Sequence, residues 1–268
     1  MPVDNDLRRL DIDLPARPAS LVKLSLLMAE KDIDLKAAST LIESDMALAA
    51  AVMKAVNSSL YGLRGRVQTV LQAVQYLGLR EVAAITYEIG LRAAFAPTPE
   101  MEPIWQRAAR RGVIMGRLGQ RLGVDAWAAH SAGLFEECGK ALLLRHAPAT
   151  YPAMMRAAAG DDAQLAALEH AAFGARHDAL GAALCESWGL AAAAVTSVRH
   201  HLAAQSGEPL PPELAKSGML ALSAMAQGML DGGDLTAIAT RVAAQAALDA
   251  ALVLRAARAV QQQLAEAR

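Results

Sequence analysis

Apolar residues recur at helical spacing through almost the whole chain, and prolines, glycines and candidate N-caps cut that pattern into segments. Leu21, Leu24, Leu26 and Leu27 predict a helix over 20–29, Asp34 stands as N-cap to one over 35–44, and Asp45 to one over 46–57. Small polar residues and Gly62 interrupt the pattern, which resumes over 67–77, stops at Gly78 and runs again from about 80 to 95. Pro97, Pro99 and Pro103 then form the clearest internal boundary, because proline fixes φ, lacks an N–H donor and restricts the residue before it. Beyond it the spacing predicts helices over 104–122, 126–147, 150–159, 162–172, 176–188 and 191–202. A polar link from Gln205 to Pro212 leads to a C-terminal helical pair. There Asp234 is a good N-cap, and Leu252, Ala256, Ala259, Val260 and Leu264 share one face of the last helix. No segment calls for a strand. The expected fold is an all-α, two-lobed helical bundle: a charged tail over 1–13, an N-terminal lobe over 14–97, a second lobe over 98–204, and an extension over 205–268 packing on the second lobe.

Composition supports helices and narrows the functional classes. The chain has 268 residues, enough to bury a core without metal or disulfide support, so folding requires no cofactor. Hydrophobic residues make up 54% and aromatics 4%, and an alanine- and leucine-rich interior suits close helix packing. A formal net charge of -1 and the lack of a basic arm argue against nucleic-acid binding. No apolar run approaches the roughly 18 residues of a bilayer span, so no membrane role is expected. Cys138 and Cys185 stand apart in apolar surroundings and the start of the chain has no signal core, which together suggest a reducing, cytoplasmic setting.

An ordered set of short motifs spans the first lobe: Leu14-Pro15-Ala16-Arg17-Pro18, Ile42-Glu43-Ser44-Asp45, Asn57-Ser58-Ser59-Leu60-Tyr61-Gly62 and Gln75-Tyr76-Leu77-Gly78. Trp105, Gly133-Leu134-Phe135-Glu136-Glu137-Cys138-Gly139-Lys140, Glu169, His177, Gly181, Trp188 and His200-His201 continue it through the second. Together, over roughly residues 14–204, the chain resembles HDOD domains, non-catalytic relatives of the HD phosphohydrolases. Met46 departs from the pattern, since the family usually has proline there.

The resemblance implies an HD-like architecture, a bacterial signalling role exerted through contacts with other signalling proteins, and a degenerate metal site. Where catalytic HD relatives place a histidine after the Trp105 position, this chain has Arg107; where they place the His-Asp pair it has Glu136-Glu137, and a small residue, Ser223 or Ala224, aligns with their last acid. No catalytic residue and no metal or other cofactor is therefore expected. A guanidinium stays protonated and brings a fixed positive charge into a cation site. The expected vestigial pocket comprises Arg107, Glu136, Glu137, Lys140, His177 and His201, and the signature turn Asn57, Ser58, Tyr61 and Gly62.

Each residue also has a plainer reading. His177 shares a face with Leu180, Gly181, Leu184 and Trp188 and is expected to point inward as a hydrogen-bonded core histidine. Of the histidine pair, His201 lies nearer the apolar face and His200 is expected in solvent. Glu136 precedes Lys140 by four residues, the spacing of an exposed helical ion pair, and Glu137 aligns with His130. Arg107, Arg110, Arg111, Arg117 and Arg121 fall on one arc of a helix and are read as a solvated face. The signature turn can be purely structural. Two other functions stay open: a divergent metal-dependent phosphohydrolase of nucleotides or cyclic dinucleotides using Glu136, Glu137, His177 and His201, and a pocket that binds a small anion or nucleotide without turnover through Arg107 and Lys140.

Overall fold

The structure is a computed structural model that describes residues 12–28, 30, 32, 34–57 and 67–266. Among these residues there are fifteen α-helices, two single 3-10 turns and no strand. Contacts divide the chain into two compact units, one built on Pro15–Pro97 and one on Thr98–Gln261.

The first unit contains α1 (Ala19–Met28), α2 (Leu35–Glu43), α3 (Met46–Val56), α4 (Val70–Leu77) and α5 (Leu79–Ala93). Asp34 and Asp45 accept backbone N–H bonds at the starts of α2 and α3, as their positions predict, and Thr69 does the same for α4. Ile42, Val52, Val56, Val70, Val74, Val82 and Ile85 meet in its core. Leu21 and Leu24 are buried, whereas Leu26 is 67% exposed, so only part of the apolar run on α1 faces inward. Asn57 ends α3. Its amide Nδ2 donates to Met53 O at 3.0 Å and Val67 O at 2.9 Å, joining the end of α3 to Val67. Ser58, Tyr61 and Gly62, and most of the expected tail over 1–13, lie outside the described residues.

The second unit contains α6 (Glu102–Leu122), α7 (Ala126–Glu136), α8 (Cys138–His146), α9 (Tyr151–Ala158), α10 (Asp162–Phe173), α11 (His177–Ser187), α12 (Ala192–Ser206), α13 (Gly218–Asp231), α14 (Leu235–Ala246) and α15 (Ala250–Glu266). Three boundaries differ from expectation. The predicted helix over 126–147 is two helices broken at Glu137; α12 runs through Gln205, where the link was expected to begin; and three helices, not two, follow that link. On α15 the buried positions are Val253, Ala256, Ala257 and Val260, while Leu252 is exposed, which turns the apolar face by about one position from the predicted one.

Two glycines set the backbone spacing around the site. A Cβ at Gly133 on α7 would lie 2.9 Å from the Arg111 and Gly112 backbone, so α6 and α7 touch main chain to main chain there. A Cβ at Gly139 would lie 1.8 Å from the His177 carbonyl oxygen, which brings the first turns of α8 and α11 into direct contact.

Candidate functional site

Helix α6 presents Arg107 and Arg111 one turn apart, α7 ends on Glu136, the break supplies Glu137, and the first turn of α8 supplies Lys140. Because Glu136 and Glu137 are consecutive, their side chains leave the chain in different directions. Both are fully buried and both reach the Arg111 guanidinium: Nη1 lies 3.1 Å from Glu136 Oε2, and Nη2 lies 2.9 Å from Glu137 Oε1. Arg111 Nη2 also donates to Gln227 Oε1 at 2.5 Å.

The network continues outward on both sides. Arg107 Nε lies 3.2 Å from Glu137 Oε1 and its Nη2 lies 2.9 Å from Asp231 Oδ1. Lys140 Nζ donates to Glu137 Oε2 and to Asp162 Oδ1, each at 2.7 Å. Behind Arg111, Glu136 accepts from Ser197 Oγ at 3.4 Å and Gln205 Nε2 at 3.2 Å, and the same Gln205 nitrogen donates to Ser223 Oγ at 3.0 Å. Helix α13 thus faces the site with Ser223, Gln227 and Asp231, one turn apart each.

Burial and charge pull the two glutamates apart. Burial pushes the Glu136 carboxyl up to about 7, against the opposing pull of Arg111. Burial acts the same way on Glu137, but Lys140, Arg111 and Arg107 together outweigh it and hold this group far below the usual carboxylate range. Arg111 and Lys140 lose solvation yet gain more from the carboxylates around them, so both stay charged.

A second buried cluster lies beside the first. Tyr151 Oη donates to Glu169 Oε1 at 2.5 Å, and Glu169 Oε2 accepts from the His177 backbone N–H at 2.8 Å and sits 2.7 Å from His177 Nδ1. Burial lowers the basicity of His177, but the Glu169 charge and hydrogen bond win and raise it overall. The His201 ring lies 5.5 Å from that of His177, centroid to centroid, and its Nδ1 is 2.6 Å from Val198 O. Burial, then the neighbouring His177, pushes His201 down to about 3, so it is neutral at physiological pH.

All six expected pocket residues therefore lie in the second unit, but in two clusters: Arg107, Glu136, Glu137 and Lys140 share one ion-pair network, and His177 and His201 pair with each other next to Glu169. Several plainer readings are corrected. Glu136 is buried and bonded to Arg111, not exposed with Lys140, whose carboxylate partners are Glu137 and Asp162. Arg111 is no part of a solvated stripe: its side chain has no exposure at all and it is the centre of the site. His200 is half-buried rather than in open solvent.

Arg111 was legible in one respect. Ile104, Ala108, Arg111, Met115 and Leu118 follow one another at spacings of four and three, so this arginine stands in the middle of the buried face of α6. Asp162, Gln227, Asp231 and Tyr151 carried no comparable signal, since they reach the site from three other helices, α10, α13 and α9.

The HD fold family implies a divalent metal, and these residues do not fit one. A guanidinium already occupies the space between the two glutamates, His177 Nδ1 is committed to Glu169, and no three His, Cys, Asp or Glu side chains are gathered for a metal among the described residues.

Fold and site together define an all-helical, HD-like protein whose central cation is an arginine. Comparisons with known proteins place it further. Residues 14–204 match the HDOD domain family model, and the chain belongs to the HDOD family. It is similar to an HDOD domain protein with unknown function from Geobacter sulfurreducens, with TM-score 0.71 and 17% identity over 98% of this chain and 95% of that one. A protein from Shewanella amazonensis SB2B, provisionally named a phosphohydrolase, superposes with TM-score 0.72 and 22% identity over 98% and 96%. One from Marinobacter aquaeolei VT8, provisionally named a signal transduction protein, gives 0.75 and 22% over 96% of this chain and 58% of that one. An uncharacterized protein of Treponema pallidum (strain Nichols) is 26% identical over 196 residues, which cover 72% of this chain but only 38% of the relative's length. No described helix is long and apolar enough to cross a membrane.

Proposed function

We propose that this chain is a non-catalytic regulatory module of bacterial signal transduction that works in the cytoplasm through contacts with other signalling proteins. One observation carries the reading: the fully buried Arg111 guanidinium bonds both Glu136 and Glu137, the pair that aligns with the metal-binding His-Asp of catalytic HD relatives. A divalent ion entering there would displace a cation that cannot be neutralised by deprotonation, and would leave it buried without its partners. The alternatives fare worse on the same ground. A hydrolase would need a metal-activated water, and an anion or nucleotide sensor would need free positive charge, whereas Arg107 and Lys140 are both already paired with carboxylates. For docking, the second unit offers a groove of about 590 Å³ lined by alanines such as Ala166, Ala167 and Ala203 and by Arg176, Arg199 and His200.

The test is elemental analysis of untagged protein purified without chelator and re-equilibrated with Mn²⁺, Mg²⁺, Zn²⁺ or Fe²⁺, paired with phosphate-release assays on nucleotides and cyclic dinucleotides. Substoichiometric metal and no turnover are expected. Stoichiometric metal that disappears with Glu137→Gln, together with phosphodiester cleavage, would sink the proposal.

A further inference from the structure

The groove of about 590 Å³ in the second unit is lined by two helices that turn the same pattern towards it. From α10 come Ala163, Ala166, Ala167 and His170, and from α12 come Arg199, Leu202, Ala203 and Ser206. Each set is an i, i+3, i+4, i+7 stripe, one face of a helix over about two turns and 10 Å. Ala175 and Ala179, from the turn before α11 and its first turn, add two more small side chains. The groove is open to solvent, since Ala163, Ala167 and Ser206 are exposed.

Small side chains let a second helix approach closely, whereas they give a small molecule little shape to grip. The described residues of the lining include no Phe, Tyr or Trp on which a nucleotide base could stack. Their charged groups leave donors over. Asp178 is buried and spent: Oδ1 accepts from Arg176 Nε at 3.1 Å and from the Ala179 N–H at 2.9 Å, and Oδ2 accepts from Arg176 Nη2. The two protons of Arg176 Nη1 then have no partner among the described residues, on a side chain that is 49% exposed. Arg199 gives Nη2 to Glu186 at 3.1 Å and keeps Nε and Nη1. Burial first, then the Arg199 charge and less strongly the Arg176 charge, push the His200 imidazole down against the pull of Asp178 and Glu213, so it is neutral at physiological pH. Both guanidiniums therefore lie near His200. Besides Asp178, the lining has one carboxylate, Glu208.

We propose that this groove docks an acidic amphipathic helix of another signalling protein. About two turns of that helix lay apolar side chains along the two alanine-bearing stripes, and a glutamate or aspartate beside its apolar face takes the unspent N–H groups of Arg176 and Arg199. Docking here rests on the regulatory reading but fails separately from it: stoichiometric metal with turnover would remove that reading, whereas an empty groove on a metal-free, inactive chain would remove the docking alone.

The experiment is fluorescence anisotropy with the full chain. The probe is a labelled, lactam-stapled helical peptide of about three turns, with alanine and leucine at i, i+3, i+4 and i+7 and glutamates beside that stripe. One control peptide carries lysine in place of glutamate; the other has the same composition with its apolar residues scattered around the helix. The glutamate peptide is expected to saturate with a Kd of about 100 μM or tighter, and both controls to bind at least about tenfold more weakly. Arg199→Glu, which reverses a charge, and Ala167→Trp, which fills the groove from an exposed position, are each expected to weaken the glutamate peptide by a similar factor. No saturable binding, equal binding of either control, or binding that both variants leave unchanged would each overturn the proposal. So would displacement by inorganic phosphate beyond that by chloride at equal ionic strength, the mark of a small-anion site, or a dimer in sedimentation that Arg199→Glu dissolves, the mark of a second copy in the groove. The peptide comparison decides the matter even where a variant does not fold.

Discussion

Replacing Glu136 with glutamine removes a charge whose cost can be worked out from its surroundings. Burial pushes this carboxyl from an ordinary 4.5 up to about 7 despite Arg111 beside it, so between those pH values the folded protein binds a proton that the unfolded chain has released. Stability contributed by the protonated form is fully present below pH 4.5 and is lost as pH rises through 7. The shift corresponds to about 3 kcal/mol once the group is ionised. Glutamine keeps the shape and mimics the protonated state. Glu136→Gln should therefore lie within about 1 kcal/mol of the parent near pH 5 and exceed it by about 3 kcal/mol near pH 8. The parent's own pH profile is composite. His201, held down to about 3, makes stability rise with pH up to its unfolded value of 6.5, opposing the Glu136 effect over part of the range. The difference between parent and variant cancels such shared contributions. The assay is urea unfolding at pH 5, 6, 7 and 8 followed by tryptophan fluorescence, because Trp105, Trp127 and Trp188 all lie in the Thr98–Gln261 unit and report it alone. A difference that stays constant with pH, or a variant less stable at pH 8, would show that Arg111 keeps Glu136 ionised throughout and would refute the reasoning.

Three further outcomes are expected. Arg111→Ala leaves two buried carboxylates without their shared partner and should cost about 3–5 kcal/mol in the same unfolding assay, whereas Arg110→Ala on the exposed side of α6 should change stability by less than about 0.5 kcal/mol. Gly139→Ala drives a methyl into the His177 carbonyl, which is backbone and cannot rotate away; a loss of at least about 3 kcal/mol, or no recoverable folded protein, is expected by circular dichroism. Tyr151→Phe removes the hydroxyl that donates to the buried Glu169 and should lower unfolding free energy by about 1.5–3 kcal/mol, measured by denaturant titration.

Local signals carried far along this chain. Asp34, Asp45 and Asp234 cap the helices that their positions announce, because an N-cap acts on backbone N–H groups two or three residues away and needs nothing distant. The three-proline boundary near residue 100 rests likewise on local backbone chemistry. The break at Glu137 is different. No proline or glycine marks it, and the side chains on either side are drawn to partners on separate helices: Glu136 to Arg111, Ser197 and Gln205, and Lys140 to Asp162. Periodicity could place Arg111 on the buried face of α6, but the same residue also fitted a stripe of exposed arginines, and spacing alone does not choose between them.

By itself the sequence determined the all-helical class, most helix starts and the family, because each rests on short-range backbone chemistry or on an ordered motif. Only the tertiary structure decided that the expected pocket residues fall in two clusters and that a fully buried arginine, Arg111, bonds both glutamates. Those outcomes depend on which helices touch, at what separation, and on how much solvent remains around each charge, and none of these is a function of distance along the chain.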